Sequence, residues 1–191
     1  LGNHTWNRRE ICDYLEESRY ILRPANFLPS LPGSGWGVYE TQIGPVAGAN
    51  LIGRCNMNFG PDNPFHVAEK ILKDAGDIPL LLDFHAEATS EKLALARYLT
   101  GRVSAVWGTH THVATADCRI LGGHTGFITD LGMVGSADGI LGVKSEAVIH
   151  KFLVKTPVRF ETEHGNEGAS GALFTVDSES GKCISAESVS F

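Results

Sequence analysis

No stretch of this 191-residue sequence approaches the ~18 apolar residues that a membrane-spanning helix needs, so no membrane partner is expected. Cationic charge is short as well: 16 Lys and Arg stand against 22 Asp and Glu, a formal net charge of −6. Sequence-independent duplex binding needs a basic face, so extended duplex nucleic acid is not an expected partner. A nucleotide stays open, because a bound cation reverses the local field. Cysteines are few and scattered, at Cys12, Cys55, Cys118 and Cys183, with no C-x-x-C pair. That argues against a zinc knuckle or a disulfide framework and suits a reducing compartment. No signal peptide is visible, and the expected location is the cytoplasm.

What is present is an ordinary globular composition, 42% hydrophobic, in a chain long enough to bury a core. Ile11 and Leu15, four apart with Glu16 and Glu17 on the wet side, predict a helix. Residues 20–23 predict a short strand stopped by Pro24, and residues 24–35 a loop. Residues 36–43 and 46–52 read as a hairpin around Gly44 and Pro45, and residues 65–75 as a helix. The nearly continuous apolar run 78–84 predicts a buried strand. An amphipathic helix is expected over 90–100, with Thr89 or Ser90 as N-cap, and a second buried strand over 103–107. Short strands follow at Ile120 and at 127–129, then a loop over 130–143 and a helix over 145–153. Residues 158–161, 171–176 and 184–189 predict a closing β meander. Strands alternating with helices point to an α/β core, read as one mixed-sheet domain with helices outside.

Three loops carry the chemistry. His85 follows the strand that ends at Phe84, His110 and His112 follow the strand that ends at Trp107, and Asn3 and His4 sit ahead of the first helix. Ligands in open α/β folds gather outside the carboxyl ends of strands, so these loops are expected to converge. Imidazole nitrogen and amide oxygen suit Zn, Mn, Fe or Co, and no cysteine competes. The spacing His110-x-His112 lets each ring serve one of two adjacent ions. Two metals about 3.5–4 Å apart suit phosphoryl chemistry. Asn3 then offers a neutral oxygen, and His4 a general acid for the leaving oxygen.

The G-N-H and G-T-H-T-H motifs resemble those of the calcineurin-like metallophosphoesterase superfamily. The longer strings Asp83-Phe84-His85-Ala86-Glu87-Ala88-Thr89-Ser90-Glu91-Lys92, Arg23-Pro24-Ala25-Asn26-Phe27 and Thr129-Asp130-Leu131-Gly132-Met133 are similar to those of the YmdB-type bacterial phosphodiesterases that act on 2′,3′-cyclic nucleotides. The resemblance implies an α/β sandwich of two mixed β-sheets flanked by helices, one metallophosphoesterase domain over 1–191 with a small cap. It implies Asn3, His85 and His110 as ligands of one metal, His112 as a ligand of the other, and His4 as the catalytic histidine. Two divalent or mixed-valence ions, Mn or Fe with Zn or Co as further options, are the implied cofactors. A small nucleotide or other phosphodiester is the implied substrate, attacked by a metal-bridging hydroxide, and a homo-oligomer stays open.

The family also begins with a strand and a G-D turn whose aspartate binds the first metal. A later G-E-N turn supplies a bridging glutamate and an asparagine. Neither lies upstream of Leu1, so the sequence is expected to be N-terminally incomplete by two βαβ-sized units, about 60 residues. The first metal then keeps only His112 from this chain, and such a fragment is expected to be inactive or poorly soluble by itself. A metal-deficient, non-catalytic binding or regulatory module is the competing reading, and a phosphomonoesterase on the same scaffold is the third.

Plainer roles are assigned elsewhere. His66, His124, His150 and His164 have no motif around them and are read as structural. Trp6, Trp36 and Trp107 are read as core. Asp83 and Asp130 tempt as ligands, but Asp83 is read as lying within its strand or orienting a histidine from behind. Glu87 and Thr89 either shape the substrate mouth or start the helix, and Arg23 either meets a phosphate or lies at a strand end.

Overall fold

The computed structural model describes residues 1–58 and 60–191. Its centre is a six-stranded sheet built around three parallel pairings. The hairpin of β1 (Trp36–Thr41) and β2 (Gly44–Ile52) is antiparallel and turns through Gln42 and Ile43. The Thr41 hydroxyl donates to Gly44 O at 2.6 Å and fastens that turn. β2 then pairs in parallel with β3 (Leu80–His85), and β3 with β4 (Ala105–Thr109). Beyond β4 come β6 (Thr125–Ile128), parallel to it, and β5 (Arg119–Leu121), antiparallel at the edge, giving the order β1-β2-β3-β4-β6-β5.

Helices cross between the parallel strands. α2 (Pro64–Ala75) opens on Asn63, whose side chain accepts from Phe65 N, with Pro64 as its first residue. It presents Ala68, Ile71 and Ala75 to the sheet. α3 (Thr89–Leu99) presents Lys92, Leu95, Ala96 and Leu99, a spacing of three and four that defines one face. Between helices and sheet lie Leu51, Leu82, Phe84, Val106 and Phe127, all buried. A side chain such as Phe84, fully out of water, contributes about 1.5–3 kcal/mol.

Only one face of β3 is packed this way. Leu80, Leu82 and Phe84 are buried, while Leu81, Asp83 and His85 are partly open on the other side. The apolar run that predicts a fully buried strand therefore resolves into alternation, with Asp83 and His85 on the more open face.

The second sheet, β7 (Val134–Ser136), β8 (Glu167–Val176) and β9 (Cys183–Ser190), pairs antiparallel in chain order. It packs over the β5–β6 side, where Trp107 stacks on Phe174 with ring centroids 6.4 Å apart. The architecture is a sandwich of two sheets flanked by helices, as the motifs imply. α1 (Ile11–Glu17) and α4 (Ser145–Val154) lie outside it. No helix among the described residues is long and apolar enough to cross a membrane.

Some local expectations change. The strand expected at 20–23 is a single bridge, Leu22 with Ser34, because Pro24 stops the ladder at once. The strand expected at 158–161 is absent. That segment is mostly exposed, and it and the residues after it meet the 142–144 turn through Lys144 N to Glu161 O, Lys144 Nζ to Glu161 Oε2, Glu163 N to Gly142 O and one bridge, short of a ladder. β7 forms inside the glycine-rich stretch read as loop. Ala88, not Thr89 or Ser90, is the N-cap of α3 and makes no side-chain cap bond.

Candidate metal centre

His85 ends β3, and Thr109, its partner across the ladder, ends β4. Both stand at the carboxyl ends of parallel strands, where the alternation that buries Phe84 turns His85 to the open face. A row of polar groups runs along that face. Asn50 Nδ2 donates to Asp83 Oδ2 at 2.7 Å, and Thr109 Oγ1 donates to Asp83 Oδ1 at 2.9 Å. Thr109 Oγ1 also lies 3.0 Å from His85 Nδ1. Its one hydrogen is committed to Asp83, so it accepts from His85 Nδ1–H. The Nε2 of His85 is left with a bare lone pair. Asp83 thus orients a histidine from behind, through a threonine.

His110 follows β4 with φ 109°. Its ring meets that of His85 edge to face, with centroids 4.9 Å apart and planes at 82°. His110 Nε2 lies 3.2 Å from Glu87 Oε2 and donates to it, so its Nδ1 is the bare nitrogen, 3.1 Å from His85 Nε2. The third donor is Asn3. Its Nδ2 lies 3.3 Å from His4 Nε2, and its Oδ1 lies 2.8 Å from His85 Nε2. Three acceptors, one amide oxygen and two imidazole nitrogens, therefore face one another with no proton between them. Such acceptors repel at these distances, and a cation among them converts the repulsion into coordination.

The electrostatics agree. Burial, with the neighbouring His110 adding to it, pushes His85 down to about 4, so its ring is neutral at pH 7, as a metal ligand must be. Burial also lowers His110, against the pull of Glu87. Among the described residues no group of three or more His, Cys, Asp or Glu side chains is arranged to hold a metal ion, and the amide of Asn3 is what completes this trio. The donor set fits a borderline metal such as Mn, Fe, Zn or Co.

Two glycines permit the approach. A Cβ on Gly2 would lie 2.3 Å from His85 Nε2, and one on Gly108 would lie 1.8 Å from Thr129 O. The first lets the N-terminal turn settle on the His85 ring. The second lets the end of β4 lie against residue 129 and the stem of Lys92.

The other residues singled out by sequence are placed differently. His4 is exposed, with the Asn7 amide 2.7 Å from its Nδ1 and Asn3 at its Nε2. His112 is also exposed, at φ 64°, and no hydrogen bond joins it to the trio among the described residues. Asp130 does not face the trio: its Oδ2 lies 2.7 Å from Lys92 Nζ in a fully buried pair. Arg23 is buried and donates to the carbonyls of Pro24, Leu31 and Gly33, clamping the 24–35 loop. Sequence reasoning missed Asn50, Thr109 and Lys92. For Lys92 a signal existed, because it shares the apolar stripe of α3 with Leu95, Ala96 and Leu99.

A family model described as YmdB-like protein matches residues 1–189. The chain belongs to the YmdB-like family. Within and around that family, the chain is 44% identical over 193 residues to the 2′,3′-cyclic-nucleotide 2′-phosphodiesterase of Bacillus subtilis, covering 99% of this chain and 72% of that protein. A solved hypothetical protein from Thermus thermophilus superposes with a TM-score of 0.92 at 36% identity, over 100% of this chain and 74% of the other. A solved novel phosphatase from Mycoplasma pneumoniae superposes with a TM-score of 0.91 at 32% identity, over 100% and 70%. The fold is thus shared with both solved structures over the whole of this chain.

Proposed function

We propose that this protein is a metal-dependent phosphodiesterase that hydrolyses small nucleotide esters, 2′,3′-cyclic nucleotides among them. The class, a phosphoester hydrolase, is that of its relatives, named as a cyclic-nucleotide phosphodiesterase and a phosphatase. The observation that carries the reading is the convergence of Asn3 Oδ1 and His110 Nδ1 on His85 Nε2, at 2.8 and 3.1 Å.

In this reading those three residues hold one ion and His112 contributes to a second. Manganese or iron is the preferred metal, with zinc or cobalt as further options. Such ions, when bound, would supply a nucleophile at neutral pH and charge stabilisation for the phosphoryl group. The chain's own residues do the rest. Asp83 and Thr109 keep His85 in the tautomer that turns Nε2 inward, and Glu87 does the same for Nδ1 of His110. Asn3 spans two roles, since its oxygen joins the trio and its amide nitrogen meets His4. His4, exposed beside the trio and oriented by Asn7, protonates the departing oxygen. The substrate is a diffusible nucleotide of the cytoplasm.

The test is a titration with manganese followed by hydrolysis of a 2′,3′-cyclic nucleotide, a bis-aryl phosphate and an aryl phosphate monoester, each with a His4→Ala control. Cyclic-nucleotide turnover that needs manganese and falls in His4→Ala supports the reading. Preference for the monoester moves the protein to the phosphomonoesterases. Manganese binding without turnover of any substrate, in this chain and equally in a version extended upstream, makes it a binding or regulatory module.

A further inference from the structure

The buried Lys92–Asp130 pair is unused by the chemistry above, yet it lies against the loop on which that chemistry depends. Both side chains are only 1% exposed and 2.7 Å apart. A buried ion pair is not by itself a stabilising choice over apolar packing, so its retention asks for another reason. Asp130 has more partners than the lysine. Its Oδ2 also accepts from Thr111 N at 3.1 Å, and its Oδ1 from Gly132 N at 2.9 Å. Its backbone amide donates to Thr115 Oγ1 at 3.0 Å, and its carbonyl accepts from Thr115 N at 3.1 Å. The next residue, Leu131, donates to Gly108 O at 2.9 Å. Bonds from residues 130 and 131 therefore reach the start, the middle and the end of the segment that carries His110 and His112.

That segment needs holding. His110 and His112 have φ 109° and 64°, in the half of conformational space that residues with a Cβ disfavour. Such conformations are costly and persist where surrounding contacts over-determine them. Thr111, between the two histidines, is tied directly to the Asp130 carboxylate.

We infer that Asp130, with Lys92 as its counterion, is a positioning residue that fixes the turn between His110 and His112 and so sets where both imidazoles stand. Lys92 makes the carboxylate tolerable inside the core, and the pair brings no net charge to the metal centre. The inference rests on the metal-centre reading for its consequence, but the tether itself belongs to the metal-free fold.

Two double variants separate the tether from the charge pair. Lys92→Met with Asp130→Asn removes both charges and keeps an oxygen for Thr111 N. Lys92→Met with Asp130→Ala removes the oxygen as well. With folding checked by circular dichroism, the asparagine variant should keep parent-like amide exchange at Thr111 in the metal-free protein and parent-like manganese affinity by calorimetry. The alanine variant should lose protection at Thr111 and lose about 10- to 100-fold in manganese affinity. Equal exchange at Thr111 in the two variants, or equal manganese affinity, overturns the inference. Should the alanine variant fail to fold, Thr115→Val removes the acceptor of the Asp130 amide and spares the buried pair. It should weaken manganese binding, and unchanged affinity there overturns the inference too. A parent protein that binds no manganese would sink the metal-centre reading instead, and the exchange rates would still decide the tether.

Discussion

His85 and His112 belong to one candidate centre and are supported very differently. Behind His85 stand Thr109, Asp83 and Asn50, linked in a row of hydrogen bonds across three adjacent strands. His112 projects from an exposed turn held through its neighbour Thr111. The difference separates a donor whose tautomer and direction are built into the sheet from one whose placement depends on loop geometry. An ion held by the trio should therefore bind first and more tightly, and the ion served by His112 second and more weakly.

The largest effect should come from removing the counterion of the buried carboxylate that supports the turn. Lys92→Met alone leaves Asp130 buried without a cation and should cost about 3–5 kcal/mol, read as the loss in denaturant unfolding. A loss below about 1 kcal/mol would mean that water reaches the carboxylate. Next, Thr109→Val removes the hydroxyl that links His85 to Asp83. It should weaken the tighter manganese site by about 10- to 100-fold in calorimetry. His112→Ala should leave that tighter site intact and delete the weaker one. If the two variants weaken the same site equally, the contrast between the histidines is broken.

Smaller effects sharpen the same contrast. His85 has its folded pKa pushed down to about 4 from an ordinary 6.5, so between these values the unfolded chain binds the extra proton. The contribution of His85 to stability is thus fully present above about pH 6.5 and is lost as the pH falls toward 4. Unfolding of metal-free protein across that window should show the slope, and His85→Gln should flatten it. Last, Arg102→Ala breaks the exposed pair with Glu69, about 40% open at both ends. It should change stability by roughly 0–1 kcal/mol and leave manganese affinity alone.

Much of this was legible from residue order. Apolar runs at 78–84 and 103–107 locate β3 and β4, and the rule that ligands gather at strand ends brings His85 and His110 together. The face of β3 was not legible. Leu80, Leu81 and Leu82 are identical in type, and only the covering helices choose which of them is buried. The role of Asp130 was hidden because a carboxylate near histidines looks like a ligand until the lysine beside it is seen. The missed β7 and the over-read strand at 158–161 share a cause. Short edge pairings depend on which segment lies alongside, and β8 supplies that neighbour to residues 134–136.

The alternation of β3 has a further consequence, for how this protein can change over generations. Positions 80, 82 and 84 answer to packing, and positions 83 and 85 face the candidate centre, although they are interleaved on one strand. Substitutions that raise thermal tolerance can therefore accumulate on every second letter without touching the candidate centre between them. A single-residue insertion or deletion has no such freedom, because it exchanges the two sets at once. A saturation scan of the strand should read as a comb, with one row of teeth tracking abundance and the other tracking turnover.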